Sequence, residues 1–308
     1  MNKICIVGIV TYNGEAYIQK CLNSILEFEN SYDIFVIDNN STDNTVSILE
    51  SYAQSITLLK QTENIGFGQA NNIIFEYALS QNYHFVFLLN QDTYLLDQSI
   101  DKLIQYAKKD TSGLNIYSPI HLSNDEVTLD KSFSLYISSE SKDLIKEEIN
   151  FIKTTFVNAA AWLIPKDVLT NLGGFNPLFF HYGEDRDLAN RLCSKSGVFI
   201  VYKQSKIVHD RKYSPMSELS IADPGKFQKR YLLLFTSYLT SLRKPLFYNF
   251  LILIKSTIHL FFKNTVKFRF RAAYYVLYNF IHCIAALPRI YRNRKRAKKP
   301  FAFLSPPS

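Results

Sequence analysis

The stretch YDIFVIDNNSTDNT, residues 32–45, joins a short apolar run to a polar and acidic loop. A run of Ile, Val and Phe this short is typical of a strand that is buried on both faces of a sheet. The alternation of such runs with amphipathic stretches long enough for crossover helices predicts an α/β fold with a mainly parallel central sheet and flanking helices. The other apolar runs are residues 3–11, 56–60 and 83–89, and the amphipathic stretches lie near residues 15–28, 43–53 and 67–81.

The middle of the chain is less regular. Residues 111–152 are polar and have no clear period, so no element is predicted there. Residues 155–164 and 197–202 are strand candidates, and residues 184–196 favour a helix.

The composition excludes a disordered or fibrous protein. Of the 308 residues, 47% are hydrophobic, Gly and Pro number only 10 each, and Tyr and Phe number 20 and 24. This aromatic content is typical of a chain with a substantial packed core. The four cysteines are far apart and form no CxxC pair, which argues against a zinc knuckle or a disulfide framework and favours a reducing compartment. The first residues lead directly into an apolar run that is typical of a strand, so no secretory leader is predicted.

Charge divides the chain near residue 224. The net charge is +8, yet no acidic residue follows Asp223, and 17 of the 35 Lys and Arg lie within residues 226–299. The preceding part therefore carries 18 basic and 27 acidic residues, a net charge of −9. We predict an α/β domain over residues 1–224, with halves at about 1–110 and 111–224, followed by a basic helical segment over residues 225–308.

The basic segment alternates apolar, aromatic runs with Lys or Arg. Its longest uncharged run, residues 272–288, is at the lower edge of the roughly 17 to 25 residues that cross a bilayer. Apolar surface combined with positive charge suits amphipathic helices on an anionic leaflet, so residues 226–299 are expected on a membrane surface. The last basic cluster favours lipid or solvent over nucleic acid, because aliphatic runs precede it. Its members are Arg292, Arg294, Lys295, Arg296, Lys298 and Lys299.

Polar loops follow three of the predicted strands, at residues 11–14, 38–41 and 90–92. In an open parallel sheet such loops share one edge, and ligands bind there. Turns and helix caps explain much of each loop. Asp38 is harder to explain in this way, because a carboxylate at the end of a buried strand needs a hydrogen-bond donor, and a nucleobase N–H is one. Two glycines within residues 64–72 precede a helix, an arrangement found both in ordinary loops and in diphosphate sites.

Acidic residues and one histidine are candidates for chemistry. Asp92 follows a buried strand and is either a turn residue or a ligand of a hard divalent cation, which combines carboxylates with phosphate oxygens. Glu184, Asp185 and Asp187 begin a predicted helix, where acidic residues are favoured electrostatically, but a carboxylate in a cleft also suits a general base. His209 ends a strand candidate and is either structural or a ligand of a metal or diphosphate.

Seven motifs in sequence order make the chain resemble family 2 glycosyltransferases of the GT-A fold, and in particular their rhamnosyltransferase-like branch. The resemblance covers roughly residues 3–212 and implies a Rossmann-like GT-A catalytic domain over residues 1–224. The motifs are VTYN at 10–13, DNNSTDNT at 38–45, NIGFGQANN at 64–72, LNQDTYL at 89–95, GGF at 173–175, YGEDRDLANRL at 182–192 and IVH at 207–209.

The resemblance also implies roles for particular residues. Asp185 is the implied catalytic base, with the neighbouring Glu184 as the substitute candidate. Asp92 and His209 are the implied ligands of Mg²⁺ or Mn²⁺. The implied donor-binding residues are Thr11, Tyr12, Asn13, Glu15, Asp38, Asn40, Asn64, Gly66 and Gln91.

The implied reaction is an inverting transfer of rhamnose or a similar sugar from a nucleoside diphosphate. The acceptor is expected to be a glycan or a polyprenyl-linked glycan in bacterial surface polysaccharide synthesis, at the cytoplasmic face of the plasma membrane. Two positions depart from the family pattern: Asn90 replaces an aspartate of many members and removes a charge from the metal site, and Gln91 leaves the donor sugar open. The missing aspartate motivates one alternative, a non-catalytic nucleotide-sugar-binding or scaffold protein of the same fold.

Overall fold

The computed structural model describes residues 4–28, 32–111, 113–137, 150–210 and 224–306, without the side chains of residues 224–227 and 230. The strands are β1 (Cys5–Thr11), β2 (Asp33–Asp38), β3 (Thr57–Lys60), β4 (Phe85–Asn90), β5 (Thr93–Leu95), β6 (Asn115–Leu122), β7 (Phe151–Thr154), β8 (Ala161–Pro165) and β9 (Val198–His209). The helices are α1 (Ile18–Phe28), α2 (Thr45–Ser51), α3 (Phe67–Ser80), α4 (Ser99–Ala107), α5 (Lys131–Tyr136), α6 (Lys166–Leu172), α7 (Glu184–Ser194), α8 (Pro224–Thr240), α9 (Leu246–Val266), α10 (Phe270–Ala285) and α11 (Leu287–Ala297).

The strands form one mixed sheet in the order β3-β2-β1-β4-β8-β6-β9-β5, with β7 paired to the first part of β9. The four strands of the first half are parallel, as predicted. Beyond them, β8 is antiparallel to both β4 and β6, and β5 and β7 are antiparallel to β9. The prediction of a mainly parallel sheet is therefore correct for the first half of the domain and incomplete for the second half.

Several local predictions need correction. The run at 56–60 contains β3, which is an edge strand with mostly exposed side chains, so it is not a buried strand. Of the strand candidate at 155–164, only the last part is strand, because residues 156–160 form a loop before β8. The unassigned region 111–152 contains β6 and α5, while residues 138–149 lie outside the described residues.

Helices cover both faces of the sheet and bury two apolar layers. One layer packs α3 and α7 against the sheet around Ile74, Trp162 and Phe175, and the other packs α1 and α4 around Ile25 and Leu103. Strands that are buried on both faces need continuous apolar runs, which explains why the sequence shows no alternation in β1, β2 and β4.

The topology brings the polar loops to one edge. Strands β1, β2 and β4 are parallel and end at Thr11, Asp38 and Asn90. Because β6 and β8 run antiparallel and β6 and β9 parallel, β9 also ends at this edge, and Thr93 pairs with His209 there. The loop 156–160 lies at the same edge, since Ala161 pairs with Leu89. This arrangement confirms the predicted α/β fold and its shared edge.

The basic segment folds into a helical bundle, α8 to α11, around a small core of its own that includes Phe235, Leu239, Leu253 and Val276. The uncharged run 272–288 is divided between two helices, because α10 ends at Ala285 and α11 begins at Leu287. Within the described part of the chain, one helix, α9, is long and apolar enough to cross a membrane, at 21 residues and a mean hydropathy of 1.3.

One member of the last basic cluster has a structural role. Arg294 is buried and donates hydrogen bonds to the carbonyl oxygens of Leu239, Ser241 and Lys244. It closes the C-terminal end of α8 and the turn that follows. Arg294 therefore cannot belong to a solvated or lipid-facing tail, which corrects the interpretation of that cluster.

Candidate active site

The loops after β1 and β2 are tied together by reciprocal hydrogen bonds. The backbone N–H of Thr42 donates to Asn13 Oδ1 at 2.8 Å, and that of Asn44 donates to Glu15 Oε2 at 2.9 Å. In return, the backbone N–H of Asn13 donates to Ser41 Oγ at 2.9 Å. The side-chain oxygens of Asn13 and Glu15 therefore fix the shape of the loops, and Asn40 is exposed in a left-handed turn conformation with φ 68°.

Gln91 fastens the loop after β1 to the loop after β4. Its Oε1 accepts hydrogen bonds from Thr11 Oγ1 at 2.5 Å and from the backbone N–H of Tyr12 at 2.9 Å, and its Nε2 donates to the carbonyl oxygen of Tyr12 at 3.2 Å. The Tyr12 ring remains exposed. Both ends of the Gln91 amide are thus occupied by protein, so its contribution is to hold the loop that carries Thr11 and Tyr12.

Asp38 lies at the end of β2 and is almost fully buried. One carboxylate oxygen, Oδ2, accepts a hydrogen bond from the backbone N–H of Ser41 at 3.0 Å. The other, Oδ1, is buried and has no hydrogen-bond partner among the described residues. A buried carboxylate oxygen without a donor is costly, so this atom is available to accept a hydrogen bond from a ligand N–H.

The predicted diphosphate loop is held by a second amide. Asn64 Oδ1 accepts hydrogen bonds from Asn39 Nδ2 and from the backbone N–H of Gly66, both at 2.9 Å. Gly66 precedes α3 with φ 85°, and the backbone of Phe180 lies so close that a Cβ at this position would be 2.3 Å from its carbonyl oxygen. The loop thus brings the N-terminus of α3 next to the segment that leads into α7.

Asp92 and His209 meet where β5 pairs with β9. Asp92 Oδ2 lies 3.4 Å from His209 Nε2, and the backbone N–H of Asp210 donates to the carbonyl oxygen of Asp92 at 2.7 Å. The His209 side chain is only 1% exposed, and neither ring nitrogen has a hydrogen-bond partner within the described ranges. Asn90 Oδ1, at the end of β4, is likewise buried and unpartnered in those ranges.

This pair fits a divalent cation that also binds phosphate oxygens. The residues that the structure describes contain no group of three or more His, Cys, Asp and Glu that could hold a metal, so these residues do not form a complete cage. A carboxylate and an unpartnered imidazole supply two ligands, and Mg²⁺ and Mn²⁺ sites in nucleotide enzymes complete their coordination with phosphate and water. The unpartnered His209 ring is the observation that favours this fit.

Glu184 and Asp185 begin α7, at the mouth of the same edge. Glu184 is buried, and its side chain lies beside Gly68 of α3, where an added Cβ would be 3.4 Å from the Cβ of Glu184. The Asp185 carboxylate accepts a hydrogen bond from the backbone N–H of Arg186 at 2.7 Å and another from the backbone of Ala159. The backbone N–H of Asn90 in turn donates to the carbonyl oxygen of Ala160 at 2.9 Å, so the loop 156–160 connects the Asp185 carboxylate to the end of β4.

The two neighbouring carboxyls have different environments. Burial and the nearby Asp185 charge raise the pKa of Glu184 from an ordinary value of 4.5 to about 8. Burial also raises the pKa of Asp185, while backbone N–H groups and Arg186 oppose the shift. At neutral pH, Glu184 is therefore largely protonated and places no second negative charge beside the Asp185 carboxyl.

The third acidic residue of this helix is structural. Asp187 is buried, accepts from Arg191 Nε at 2.9 Å and from Asn176 Nδ2 at 3.1 Å, and so holds α7 to the loop before it. Arg191 also donates to the carbonyl oxygens of Leu172 and Gly174.

Sequence reasoning missed three residues near this edge. Asn158 has a buried Oδ1 without a partner in the described chain and lies in the loop 156–160. Phe180 and Tyr182 precede α7 and expose their rings, 58% and 60% of each side chain, beside the Gly66 loop and the two carboxyls. The aromatic run 179–182 is visible in the sequence, but only the fold reveals that Phe179 is buried and the other rings are exposed.

Comparison with known proteins gives a consistent result. The profile described as Glycosyl transferase family 2 matches residues 6–173. The dTDP-rhamnosyl transferase RfbF of Shigella flexneri is 24% identical over 216 residues, 68% of this chain and 70% of RfbF. The glycosyltransferase SunS of Bacillus subtilis is 37% identical over 79 residues, which are 26% of this chain and only 18% of SunS.

Solved structures share the fold. The chain matches Staphylococcus aureus TarS residues 1–349 in complex with UDP at a TM-score of 0.58 and 17% identity, over 96% of this chain and 83% of that one. It matches the mannosyltransferase PcManGT from Pyrobaculum calidifontis, in complex with GDP-Man and Mn²⁺, at a TM-score of 0.56 and 17% identity, over 93% of this chain and 76% of that one.

The shared fold is the GT-A fold. The profile match is more specific because it covers more than half of the sequence: the chain belongs to glycosyl transferase family 2. The family resemblance found from the motifs is thus confirmed, and the relatives include dTDP-rhamnosyl transferases. Family membership supports an enzyme over the non-catalytic alternative.

Proposed function

We propose that this chain is an inverting glycosyltransferase that transfers rhamnose or a similar hexose from a nucleoside diphosphate to a glycan or polyprenyl-linked glycan of a bacterial surface polysaccharide. One observation carries the proposal. Of nine buried, unpartnered polar side-chain atoms in the described residues, six belong to Asp38, Asn90, Asn158, Glu184 and His209 at this edge. Folded proteins pair nearly all such atoms, so this concentration supports a polar ligand there.

The nucleoside half of the donor is proposed to bind over the loops after β1 and β2. Asp38 Oδ1 accepts an N–H of the base, and the exposed Tyr12 offers an aromatic ring to the nucleoside. Thr11 is buried and donates its hydroxyl to Gln91, so it takes part by holding the loop that carries Tyr12. Asn13, Glu15, Gln91 and Asn64 take part by fixing the loops, since their side-chain oxygens are already hydrogen bonded, and Asn40 and Gly66 supply the left-handed turns between them.

The diphosphate is proposed to lie between the N-terminus of α3 and the pair Asp92 and His209. Asp92 and His209 would hold Mg²⁺ or Mn²⁺ there, and the bound cation neutralises charge on the leaving diphosphate. The structure of TarS contains UDP, and that of PcManGT contains GDP-Man and Mn²⁺. These ligands support a nucleotide and a divalent cation as ligands of this fold.

Asp185 is proposed as the general base. The acceptor hydroxyl attacks the anomeric carbon from the side opposite the diphosphate, its proton passes to the Asp185 carboxylate, and the bond to the diphosphate breaks with inversion. Burial raises the pKa of Asp185, and this supports the role because a carboxylate with a raised pKa is a stronger base. Because Glu184 is largely protonated at neutral pH, it adds no second negative charge beside Asp185.

The place of action is proposed to be the cytoplasmic face of the bacterial plasma membrane, with the chain bound peripherally through residues 226–299 to anionic lipid. No acidic residue follows Asp223, so this part offers only positive charge. RfbF is named a dTDP-rhamnosyl transferase, and TarS is named a poly(ribitol-phosphate) beta-N-acetylglucosaminyltransferase, so TarS acts on a polymer, as proposed for this chain.

The test is the variant Asp185→Asn in a transfer assay, after a thermal-shift screen of nucleoside diphosphate sugars has selected the donor. We expect donor binding to stay within about twofold and turnover to fall by at least about 100-fold, the contribution typical of a general base. The exposed Asp167, at the opposite edge of the sheet, gives a matched control, Asp167→Asn, that should transfer at the normal rate. Near-normal transfer by Asp185→Asn would reject the assignment.

A further inference from the structure

The helical bundle exposes two apolar stripes that no part of the described chain covers. On α9 the stripe recurs at intervals of one or two turns, and on α10 it recurs every three or four residues, so each follows one face of its helix. The opposite faces pack against α8 and carry the buried Leu253 and Val276. The stripe residues are Phe247, Leu251, Ile258, Phe262 and Val266 on α9, and Phe270, Tyr274, Leu277, Ile281 and Ile284 on α10.

The turn between these helices is both aromatic and basic. Residues 267–271 read KFRFR, and all five side chains are exposed, with Phe268 82% exposed. Phe268 adopts φ 54°, which an aromatic residue rarely does, and its ring centroid lies 6.2 Å from that of Phe270. We call this turn the aromatic–basic tip. Aromatic rings beside Lys and Arg are the combination that anchors proteins at the boundary between lipid headgroups and acyl chains.

The positive charges on this surface favour an anionic lipid leaflet over a second copy of the chain as its partner. The tip and the stripes carry Lys255, Lys263, Lys267, Arg269 and Arg271, all exposed, and the segment has no acidic residue to pair with them. Two copies meeting on this surface would bring like charges together, whereas an anionic leaflet attracts every one of them. An apolar surface of this extent also exceeds the isolated apolar residues that a soluble protein usually exposes.

The geometry favours seating on the leaflet over crossing it. Helix α10 has 16 residues, which at 1.5 Å per residue extend about 24 Å, less than the roughly 30 Å hydrocarbon core. Helix α9 is long enough, but its polar face is used inside the bundle: Asn264 Nδ2 donates to the Tyr231 hydroxyl at 3.3 Å. Asn279 of α10 likewise donates to the carbonyl oxygen of Gln228 at 3.0 Å, which ties both helices to α8.

The bundle contacts the start of α7, the helix that begins with Glu184 and Asp185. The side chain of Leu233 on α8 packs on Gly183, which precedes Glu184 with φ 93°, so closely that a Cβ there would be 2.7 Å away. Asn293 of α11 exchanges hydrogen bonds of 2.8 and 3.0 Å with Asn176, which also bonds Asp187 of α7. If the bundle is bound to lipid, these contacts also fix the orientation of the start of α7 relative to the membrane.

We infer that the aromatic–basic tip and the two apolar stripes form a monotopic membrane-binding face, which seats α9 and α10 in the headgroup region of an anionic leaflet. The functional consequence rests on the proposed function: the active edge is held at a fixed orientation to an acceptor that is itself embedded in the membrane.

The experiment is flotation of the full-length protein with vesicles of phosphatidylglycerol and phosphatidylcholine, and with phosphatidylcholine alone. We expect flotation on the anionic vesicles and at least tenfold weaker binding to the neutral ones. Phe268→Ser/Phe270→Ser should weaken anionic-vesicle binding by at least about tenfold, and Lys267→Gln/Arg269→Gln/Arg271→Gln by about 100-fold, at roughly fivefold per charge. The control Val127→Ser/Leu135→Ser removes two equally exposed apolar side chains of the catalytic domain and should bind as the wild type does.

Three results would overturn the inference. Equal binding by both tip variants and the control would show that another surface is responsible. Resistance to extraction by alkaline carbonate would show a spanning segment, and a dimeric mass by light scattering without flotation would show that a second copy covers the stripes. Thermal shift with nucleoside diphosphate sugars on the same samples separates this question from the proposed function, because donor binding requires neither vesicles nor an acceptor.

Discussion

At the scale of single residues, the pairing of Asp92 with His209 is the feature most open to direct test. We expect Asp92→Ala and His209→Ala each to weaken Mn²⁺ binding in the presence of a nucleoside diphosphate by at least about tenfold, since even residues that only orient metal ligands contribute this much. Equilibrium dialysis of Mn²⁺ measures the effect, with Asp167→Ala as the control. If both variants bound Mn²⁺ as tightly as the wild type does, Asp92 and His209 would not be the metal ligands.

Glu184 gives a prediction about pH. The native state holds the Glu184 proton up to about pH 8, whereas the unfolded chain releases it near its ordinary pKa of 4.5. The unfolded state therefore binds fewer protons between these values, and the free energy of unfolding falls as pH rises through that range. Glu184→Gln keeps the shape without the charge and should raise stability above pH 8 by on the order of 4 kcal/mol, with little change below pH 4.5.

Urea unfolding of wild type and Glu184→Gln across this pH range measures the difference. The free energy of unfolding of the variant should still fall somewhat as pH rises, because the pKa of Asp185 is raised as well. A variant whose stability parallels that of the wild type at every pH would show that Glu184 is ionised in the native state.

Single residues also show where sequence reasoning succeeded and where it could not. Asp38 was singled out because a strand-end carboxylate needs a donor, and its open oxygen agrees with that argument. Glu184, Asp185 and Asp187 are all acidic and lie within the first turn of one helix, so their positions in the sequence do not show which of them is structural. Packing shows that it is Asp187, which accepts a hydrogen bond from Arg191. Arg294 was grouped with exposed neighbours because a basic run does not reveal which member faces inward.

At the scale of elements, local patterns were sufficient where a strand or helix is decided by its own residues. The parallel strands β1, β2 and β4 are continuous apolar runs, and their positions were predicted to within a few residues. The loop 156–160 is also apolar apart from Asn158, so a single polar residue is the local difference between it and β8. Its conformation is set by contacts with Asn90 and Asp185, which are distant in sequence.

The end of α8 yields an element-scale prediction. Arg294 bonds three carbonyl oxygens with one planar guanidinium, and a lysine ammonium keeps the charge but cannot reach all three. Arg294→Lys should lower the free energy of unfolding by about 2 kcal/mol, because buried carbonyl groups lose their donors. Arg292→Lys, two residues away and exposed, should change it by less than about 0.5 kcal/mol. Calorimetry of the two variants makes the comparison, and equal melting temperatures would contradict the proposed closure of α8.

At the scale of the whole molecule, the last residues fasten the bundle to the catalytic domain. After α11 the chain returns to α6, where the backbone N–H of Phe301 donates to the carbonyl oxygen of Thr170 at 2.9 Å, and Leu304 enters the core shared by α3 and α7. Gly173, with φ 76°, lets Ala302 approach so closely that a Cβ would lie 1.8 Å from its carbonyl oxygen. The acidic first part and the basic second part of the chain thus form one packed body, although the division at residue 224 was predicted from charge alone.

Removal of residues 301–308 tests whether this contact makes the molecule a single cooperative unit. The full chain should unfold in one calorimetric transition, since disrupting the bundle also exposes the Leu304 site of the catalytic core. Without these residues, the bundle keeps its own small core but loses Phe303, whose ring lies between the guanidinium groups of Arg191 and Arg296 at 5.2 and 5.4 Å. We therefore expect two transitions, with the bundle melting first. A single transition at the original temperature would mean that the contacts of α8 and α11 with the catalytic domain, at Gly183 and Asn176, are sufficient to couple the two parts.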